Sequence, residues 1–349
     1  MAMTAATALN VLFIGGTGNI SSACCRLALA QGWEVTLLTR GRRALEAGMA
    51  GARLVQADHG DAAAVARALG DEVFDVVAQF IAFTPQDIER DLQLFARRTR
   101  QYIFISSASA YQKPLSHPII TESTPLANPF WDYARAKISC ERRLTQAYAD
   151  SGFPVTIVRP SLTYETVIPM AIGSWDDFTM VARMRRGEPV VVHGDGSSLW
   201  TITHSEDFAK GLVGLFGNQQ ALGHAFHITS DEILTWDQIY QALAAAAGVE
   251  ARLVHLSSDA IAAAEPWQRG NLHGDKAVSA IFDNSKIKRF VPGFQASIPF
   301  AIGIRRTVAW FDADRSRQRI VAANDQLLDR LVALSHAITA RATTTGHAS

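Results

Sequence analysis

The feature that most constrains this chain is a rhythm. Short runs of apolar and β-branched residues alternate, through residues 11–160, with stretches of helical period. "VLFIG" (11–15) leads into a helical segment to about Gln31, and "EVTLLTR" (34–40) follows. "RLVQAD" (53–58) precedes an alanine-rich helix, and "VFDVVAQF" (73–80) precedes "PQDIERDLQLFARR". Next come "QYIFISSAS" (101–109), a loop carrying Pro114, Pro118, Pro125 and Pro129, a helix over about 132–150, and "PVTIVRP" (154–160). Strands that are apolar on both faces and separated by helices require a parallel sheet covered on two sides. Right-handed crossovers then produce an α/β, doubly wound fold.

The pattern loosens after Pro160. A helix around 175–186, "PVVVHGDG" (189–196), a helix near 205–216, "AFHITS" (225–230), a helix at 235–247 and "ARLVHL" (251–256) predict a smaller C-terminal α+β lobe. Some of its segments are expected to return to the first sheet.

The first strand opens into "GGTGNISS". Gly15, Gly18 and Ser21 occupy the three positions of a G-x-x-G-x-x-G loop, with serine in place of the last glycine. Such a loop between strand and helix lets backbone N–H groups approach a pyrophosphate at a helix N-terminus. The competing reading is a strand–helix turn that holds nothing. On the first reading Gly15, Thr17, Gly18, Asn19 and Ile20 contact a dinucleotide.

The second strand ends at Thr39 and Arg40, with Arg42 and Arg43 close behind, where an Asp or Glu would accept from ribose hydroxyls. A guanidinium suits a 2′-phosphate, which points to NADP in preference to NAD; a solvated basic turn is the alternative. Asp58 closes the third strand as a candidate for the adenine amino group, or as a turn aspartate capping the next helix. The fourth strand ends at Phe80–Ile81–Ala82, an expected apolar wall beside the cofactor. The fifth ends at Ser106–Ser107. These candidates all fall at carboxyl ends of parallel strands, where open α/β sheets bind ligands.

"DYARAK" (132–137) places Tyr133 and Lys137 four residues apart, on one helical face with Cys140 and Leu144. A phenol is a poor base at neutral pH unless a nearby positive charge favours the phenolate. With Lys137 and an oxidised nicotinamide nearby, Tyr133 can exchange a proton with an alcohol while Ser107 bonds the same oxygen.

Together these residues resemble the extended short-chain dehydrogenase/reductase superfamily, in its NAD(P)-dependent epimerase/dehydratase branch. The resemblance runs from "VLFIGGTGNIS" to about residue 310. It implies a Rossmann-type domain over 1–165, a substrate-binding lobe over 166–330 with segments returning to the Rossmann sheet, and a helix end with a frayed tail over 331–349. It also implies Ser107, Tyr133 and Lys137 as the catalytic triad, and a segment after Arg159–Pro160 against the nicotinamide, with Pro160 as a contact. His204 and Asp207 belong to a His-x-x-Asp turn expected to be structural.

Two departures narrow the chemistry. Ala108 and Ser109 stand where sugar 4,6-dehydratases carry an Asp–Glu pair. Trp200 stands about where nucleotide-sugar enzymes place an arginine on the diphosphate. Arg183, Arg185 and Arg186 could substitute for it, or form a solvated helix end. The reading is an NAD(P)-dependent oxidoreductase or epimerase acting on a secondary alcohol or ketone, either a sugar derivative or another carbonyl compound without a nucleotide.

The rival class is a non-catalytic nucleotide-sensing or RNA-binding member of the same fold. Such members lose the Tyr–Lys pair, and 33 basic against 33 acidic residues give no general attraction to nucleic acid or membrane. Three cysteines, Cys24, Cys25 and Cys140, have no metal-ligand spacing and suit a reducing cytosol. Cys24 and Cys25 read as small core residues. "MAMTAATALN" lacks the pattern of a leader, so the expected location is cytoplasmic. Relatives often pair through the Tyr–Lys helix and the one before it. Arg135, Glu141, Arg142, Arg90, Arg97 and Arg98 are expected on those outer faces, which leaves monomer and homodimer both open.

Overall fold

The computed structural model describes residues 8–43 and 45–345. The N-terminal stretch up to Thr7 and the last four residues of the tail lie outside them. In the first half, β1 (Asn10–Ile14), α1 (Ser21–Ala30), β2 (Glu34–Thr39), β3 (Arg53–Gln56), α2 (Ala62–Leu69), β4 (Val76–Gln79), α3 (Pro85–Phe95) and β5 (Tyr102–Ile105) follow the alternation read from the sequence. A short β6 (Ile119–Ile120) lies in the proline-rich loop before α4 (Asp132–Ser151) and β7 (Val155–Pro160).

The second half contains β8 (Leu162–Tyr164), α5 (Thr179–Arg185), β9 (Val190–His193), β10 (Leu199–Trp200), β11 (Ile202–His204), α6 (Ser205–Gly214), β12 (Ala225–Ile228), β13 (Leu234–Thr235), α7 (Trp236–Ala246) and β14 (Leu253–Leu256). After these come α8 (Ser258–Ala264), α9 (Gln268–Asn271), a π-helical turn (Leu272–Lys276), β15 (Ile281–Phe282), α10 (Ser285–Phe290), α11 (Phe300–Asp312) and α12 (Ala322–Thr345). No helix among the described residues is long and apolar enough to cross a membrane.

Seven strands form one parallel sheet in the order β12-β7-β5-β4-β1-β2-β3. The order reverses beside β1: the chain runs outward to β2 and β3, then returns to β4 on the other flank. That reversal opens a crevice at the carboxyl ends of the strands. Side-chain alternation distributes the core. Val11, Phe13, Val76 and Ala78 face α1 and α6, while Leu12, Ile14 and Val77 face α2, α3 and α4. β12 joins the sheet from the second half, in register with β7 from Ala225–Ile157 to Ile228–Pro160. A third apolar cluster, built on Val190–Val192, Trp200, Trp236, Phe300 and Leu327–Leu328, forms the C-terminal lobe.

Candidate active site

The glycine-rich loop is held by its own serine. Ser21 Oγ donates to Gly15 O at 2.7 Å and accepts from Gly18 N at 2.8 Å, so the third position contributes more than small size. Gly15 has φ +85°, and a Cβ there would lie 2.4 Å from Ile81 Cγ2. Only glycine can bring the backbone this close to the end of β4. Asn19 spans to β8, donating from Nδ2 to Thr163 O at 3.2 Å.

A 780 Å³ cleft opens above this loop. Gly15, Thr17, Gly18, Arg40 and Asp58 line it, with Arg42, Arg43, His59, Ile81, Phe83, Asp87 and Arg90. The Arg43 guanidinium donates to Thr17 O at 3.2 Å, tying the basic turn to the loop. Asp58 Oδ1 accepts from Gly60 N at 2.9 Å, while the N-cap of α2 is Asp61. Asp58 therefore shapes the turn without capping the helix. A glycine cradle that a Cβ would fill fits the pyrophosphate of a dinucleotide.

Phe80 was expected to wall this cleft. It stacks on Phe13 with centroids 6.1 Å apart, on the α1 side of the sheet, and lines neither this cleft nor the cavity next to it. The period of two explains the correction: Phe80 continues the Val76–Ala78 face, and Ile81 takes the cleft side.

A second cavity of 440 Å³ lies beyond. Ile20, Ser107, Tyr133 and Pro160 line it, joined by Ser109, Trp131, Trp175, Trp200, Trp267, Asn271, Asp275 and Lys276. Phe83, from the cleft, has its ring centroid 6.4 Å from that of Tyr133. Ser107 Oγ lies 2.9 Å from Ser109 Oγ and accepts from Ser109 N at 3.2 Å.

Burial pushes the Tyr133 phenol above its usual range; the Ser107 hydroxyl pulls it back and Asp275 adds to the rise. Lys137 is not among the groups that shift it. Its ammonium is buried, donating to Ala82 O at 2.7 Å and Ile105 O at 2.8 Å, 6.0 Å from the Tyr133 ring centre. Burial lowers the Lys137 pKa to about 8, against the opposing pull of Cys140, Glu141 and Asp87. Desolvation outweighs the charge support expected from Lys137.

Two further placements differ from the sequence reading. Glu141 is buried and pairs with Arg159, Nη2 to Oε2 at 2.6 Å and Nε to Oε1 at 3.0 Å, while Ser106 Oγ donates to the same carboxylate. Tyr133, Lys137 and Glu141 are spaced i, i+4, i+8, so they stay within an arc of about 80° and Glu141 faces inward. Arg183 is buried, whereas Arg185 and Arg186 stay exposed at the end of α5, and none of the three lines the substrate cavity. Arg183 binds Asp325 and Asp329, Arg185 binds Asp312, and Arg186 binds Glu188 and Asp325, fastening α5 to α11 and α12. The His-x-x-Asp turn is structural. His204 Nδ1 accepts from Glu206 N at 3.3 Å, and Asp207 Oδ2 accepts from Ile298 N at 2.8 Å.

The residues that the sequence reading missed, Trp175, Asn271, Asp275 and Lys276 among them, come from distant segments with no local signature. Only Trp131, two places before Tyr133, carried a usable signal.

The geometry can be set beside known proteins. The chain is 25% identical over 288 residues to 2′-dehydrokanamycin reductase of Streptomyces kanamyceticus, covering 82% of this chain and 80% of the relative. It is 26% identical over 266 residues to the chloroplast stem-loop binding protein of 41 kDa b from Arabidopsis thaliana, covering 72% and 67%. The solved epimerase Mth375 of Methanothermobacter thermautotrophicus shares the fold, with a TM-score of 0.73 at 17% identity over 88% of this chain and 94% of that one. The model of the NAD dependent epimerase/dehydratase family matches residues 11–229, which span the glycine loop, Ser107, the Tyr133–Lys137 helix and β12, and the chain belongs to that family.

Proposed function

We propose that this protein is an NAD(P)-dependent oxidoreductase or epimerase acting on a secondary alcohol or ketone of sugar type, with NADP preferred. The observation that carries the reading is the meeting of Ser107, Tyr133 and Pro160 in one cavity next to the glycine-loop cleft. Gly15, Thr17 and Gly18 would hold the pyrophosphate, Arg40 the 2′-phosphate and Pro160 the nicotinamide end. The nicotinamide, when bound, supplies hydride acceptance and donation.

Tyr133 exchanges a proton with the substrate oxygen, and Ser107 donates a hydrogen bond to that oxygen. Lys137 adds positive charge behind the tyrosine, from a position anchored on Ala82 O and Ile105 O. Net oxidation or reduction makes the protein a dehydrogenase or reductase; returning the hydride to the opposite face makes it an epimerase.

Tyr133→Phe tests the assignment. Turnover of alcohols with NADP⁺ or NAD⁺, read by absorbance of the reduced nicotinamide, should fall by roughly a hundredfold or more, with cofactor affinity retained. Unchanged turnover refutes it. Similarity to a stem-loop binding protein favours the non-catalytic reading. Salt-dependent binding of a stem-loop RNA with no turnover of any alcohol would establish that reading in place of ours.

A further inference from the structure

We propose that the far end of the substrate cavity is a hydroxyl-binding subsite, made by Lys276, Asp275 and Asn271, for an uncharged sugar or cyclitol ring that carries no phosphate. The inference rests on the functional reading above for the identity of the reacting end.

Among the described residues, Asp275 and Lys276 are the only charged side chains lining the cavity, and they neutralise each other, Nζ to Oδ2 at 3.0 Å. The Lys276 ammonium also donates to Asn271 Oδ1 at 2.7 Å and stands 5.7 Å and 5.4 Å from the ring centres of Trp131 and Trp175. A diphosphate needs unpaired guanidinium or ammonium groups. Here the one cation is already engaged, its partner would repel a phosphate, and Arg183, Arg185 and Arg186 are bound to carboxylates elsewhere.

A ring hydroxyl suits this end better, because it both accepts from an ammonium and donates to a carboxylate. The tryptophan faces accommodate the apolar face of such a ring. A flat aryl ketone would also lie on them, but it would cover Asp275 without offering a donor.

The subsite is built rigidly onto the catalytic elements. The turn that carries it closes with an i→i+5 bond, Ala277 N to Leu272 O at 2.8 Å, a widened geometry that often marks functional positions. Trp131 packs closely against it: a Cβ on Gly270 would lie 2.6 Å from Trp131 Cδ1, and one on Gly274 would lie 2.9 Å from Trp131 Cβ. The Trp131 ring centre is 5.0 Å from that of Tyr133. Asn128 Nδ2 donates both to Gly274 O at 2.7 Å and to Ser109 O at 2.8 Å, joining the turn to the Ser107 loop.

The test is calorimetric titration of the full chain at saturating NADP⁺ or NAD⁺. Three probe sets are compared: methyl glycosides and inositols, UDP-glucose and dTDP-glucose, and aryl methyl ketones. Saturable binding of at least one phosphate-free sugar or inositol is expected, weakened about tenfold by Asn271→Ala and by Lys276→Met. Tighter binding of the nucleotide sugars, binding of the aryl ketones alone, or no binding by the first set would overturn the proposal, and these outcomes need no variant to fold. Nicotinamide absorbance judges the reaction separately. Sugar binding without any turnover leaves the subsite standing and removes the hydride-transfer reading. Turnover of UDP-glucose, with no sugar binding, does the reverse.

Discussion

Glu141→Leu probes how much of the catalytic helix depends on one buried ion pair. The substitution strands the Arg159 guanidinium, which is 5% exposed. Its remaining contacts are Glu122 O at 3.5 Å and the face of Tyr111, 4.9 Å from the ring centre. In the native protein burial pulls this guanidinium's pKa down, and the charge and hydrogen bonds of Glu141 more than reverse the shift. Removing one member of a buried pair costs about 3–5 kcal/mol, because the other stays desolvated and unpaired. An unfolding entropy of ~2.1 cal/mol/K per residue, applied to the whole chain, converts that cost to a fall in Tm of about 4–7 °C. Differential scanning calorimetry reads it directly. Arg159→Met in the same background should recover most of the loss, since two apolar side chains can replace a buried pair with little net change. A fall below about 1 °C for Glu141→Leu, or a double variant no more stable than the single one, would refute the reasoning.

Three other outcomes are expected. Arg40→Ala should raise the Michaelis constant for NADP⁺ by about tenfold to a hundredfold and leave that for NAD⁺ nearly unchanged, as loss of a charge-assisted bond to one phosphate requires; a native preference for NAD⁺ would contradict it. Because burial holds the Tyr133 phenol high, kcat/KM for alcohol oxidation, which uses the phenolate, should climb with pH through the alkaline range. Ketone reduction uses the phenol and should stay level through neutrality, so a fall in oxidation with rising pH would exclude Tyr133 as the base. All three cysteines are buried, and burial pushes the Cys24 and Cys25 thiols well up and Cys140 to about 12. Ellman's reagent should therefore find almost no thiol in the native protein and all three after denaturation; rapid labelling of the native protein would place a thiol at the surface.

The sequence alone determined the parallel sheet, because "VLFI", "VTLL", "VVAQ", "YIFI" and "VTIV" are short apolar runs separated by helical stretches, and their length and β-branched and aromatic content tell strand from helix. It also determined the glycine loop, the basic end of β2 and the Tyr133–Lys137 spacing, since each depends on neighbours within one turn of the chain. Tertiary structure decided what depends on approach from afar. Whether Phe80 or Ile81 meets the cleft depends on the phase of β4 in the sheet. Whether Glu141 faces solvent depends on Arg159, on a strand that packs beneath α4. The far end of the substrate cavity comes from a turn more than a hundred residues after Tyr133, brought in by Asn128 and by two glycines packed closely against Trp131. Such contacts leave no periodic trace in the chain, because each residue's neighbours in space are set by packing rather than by sequence distance.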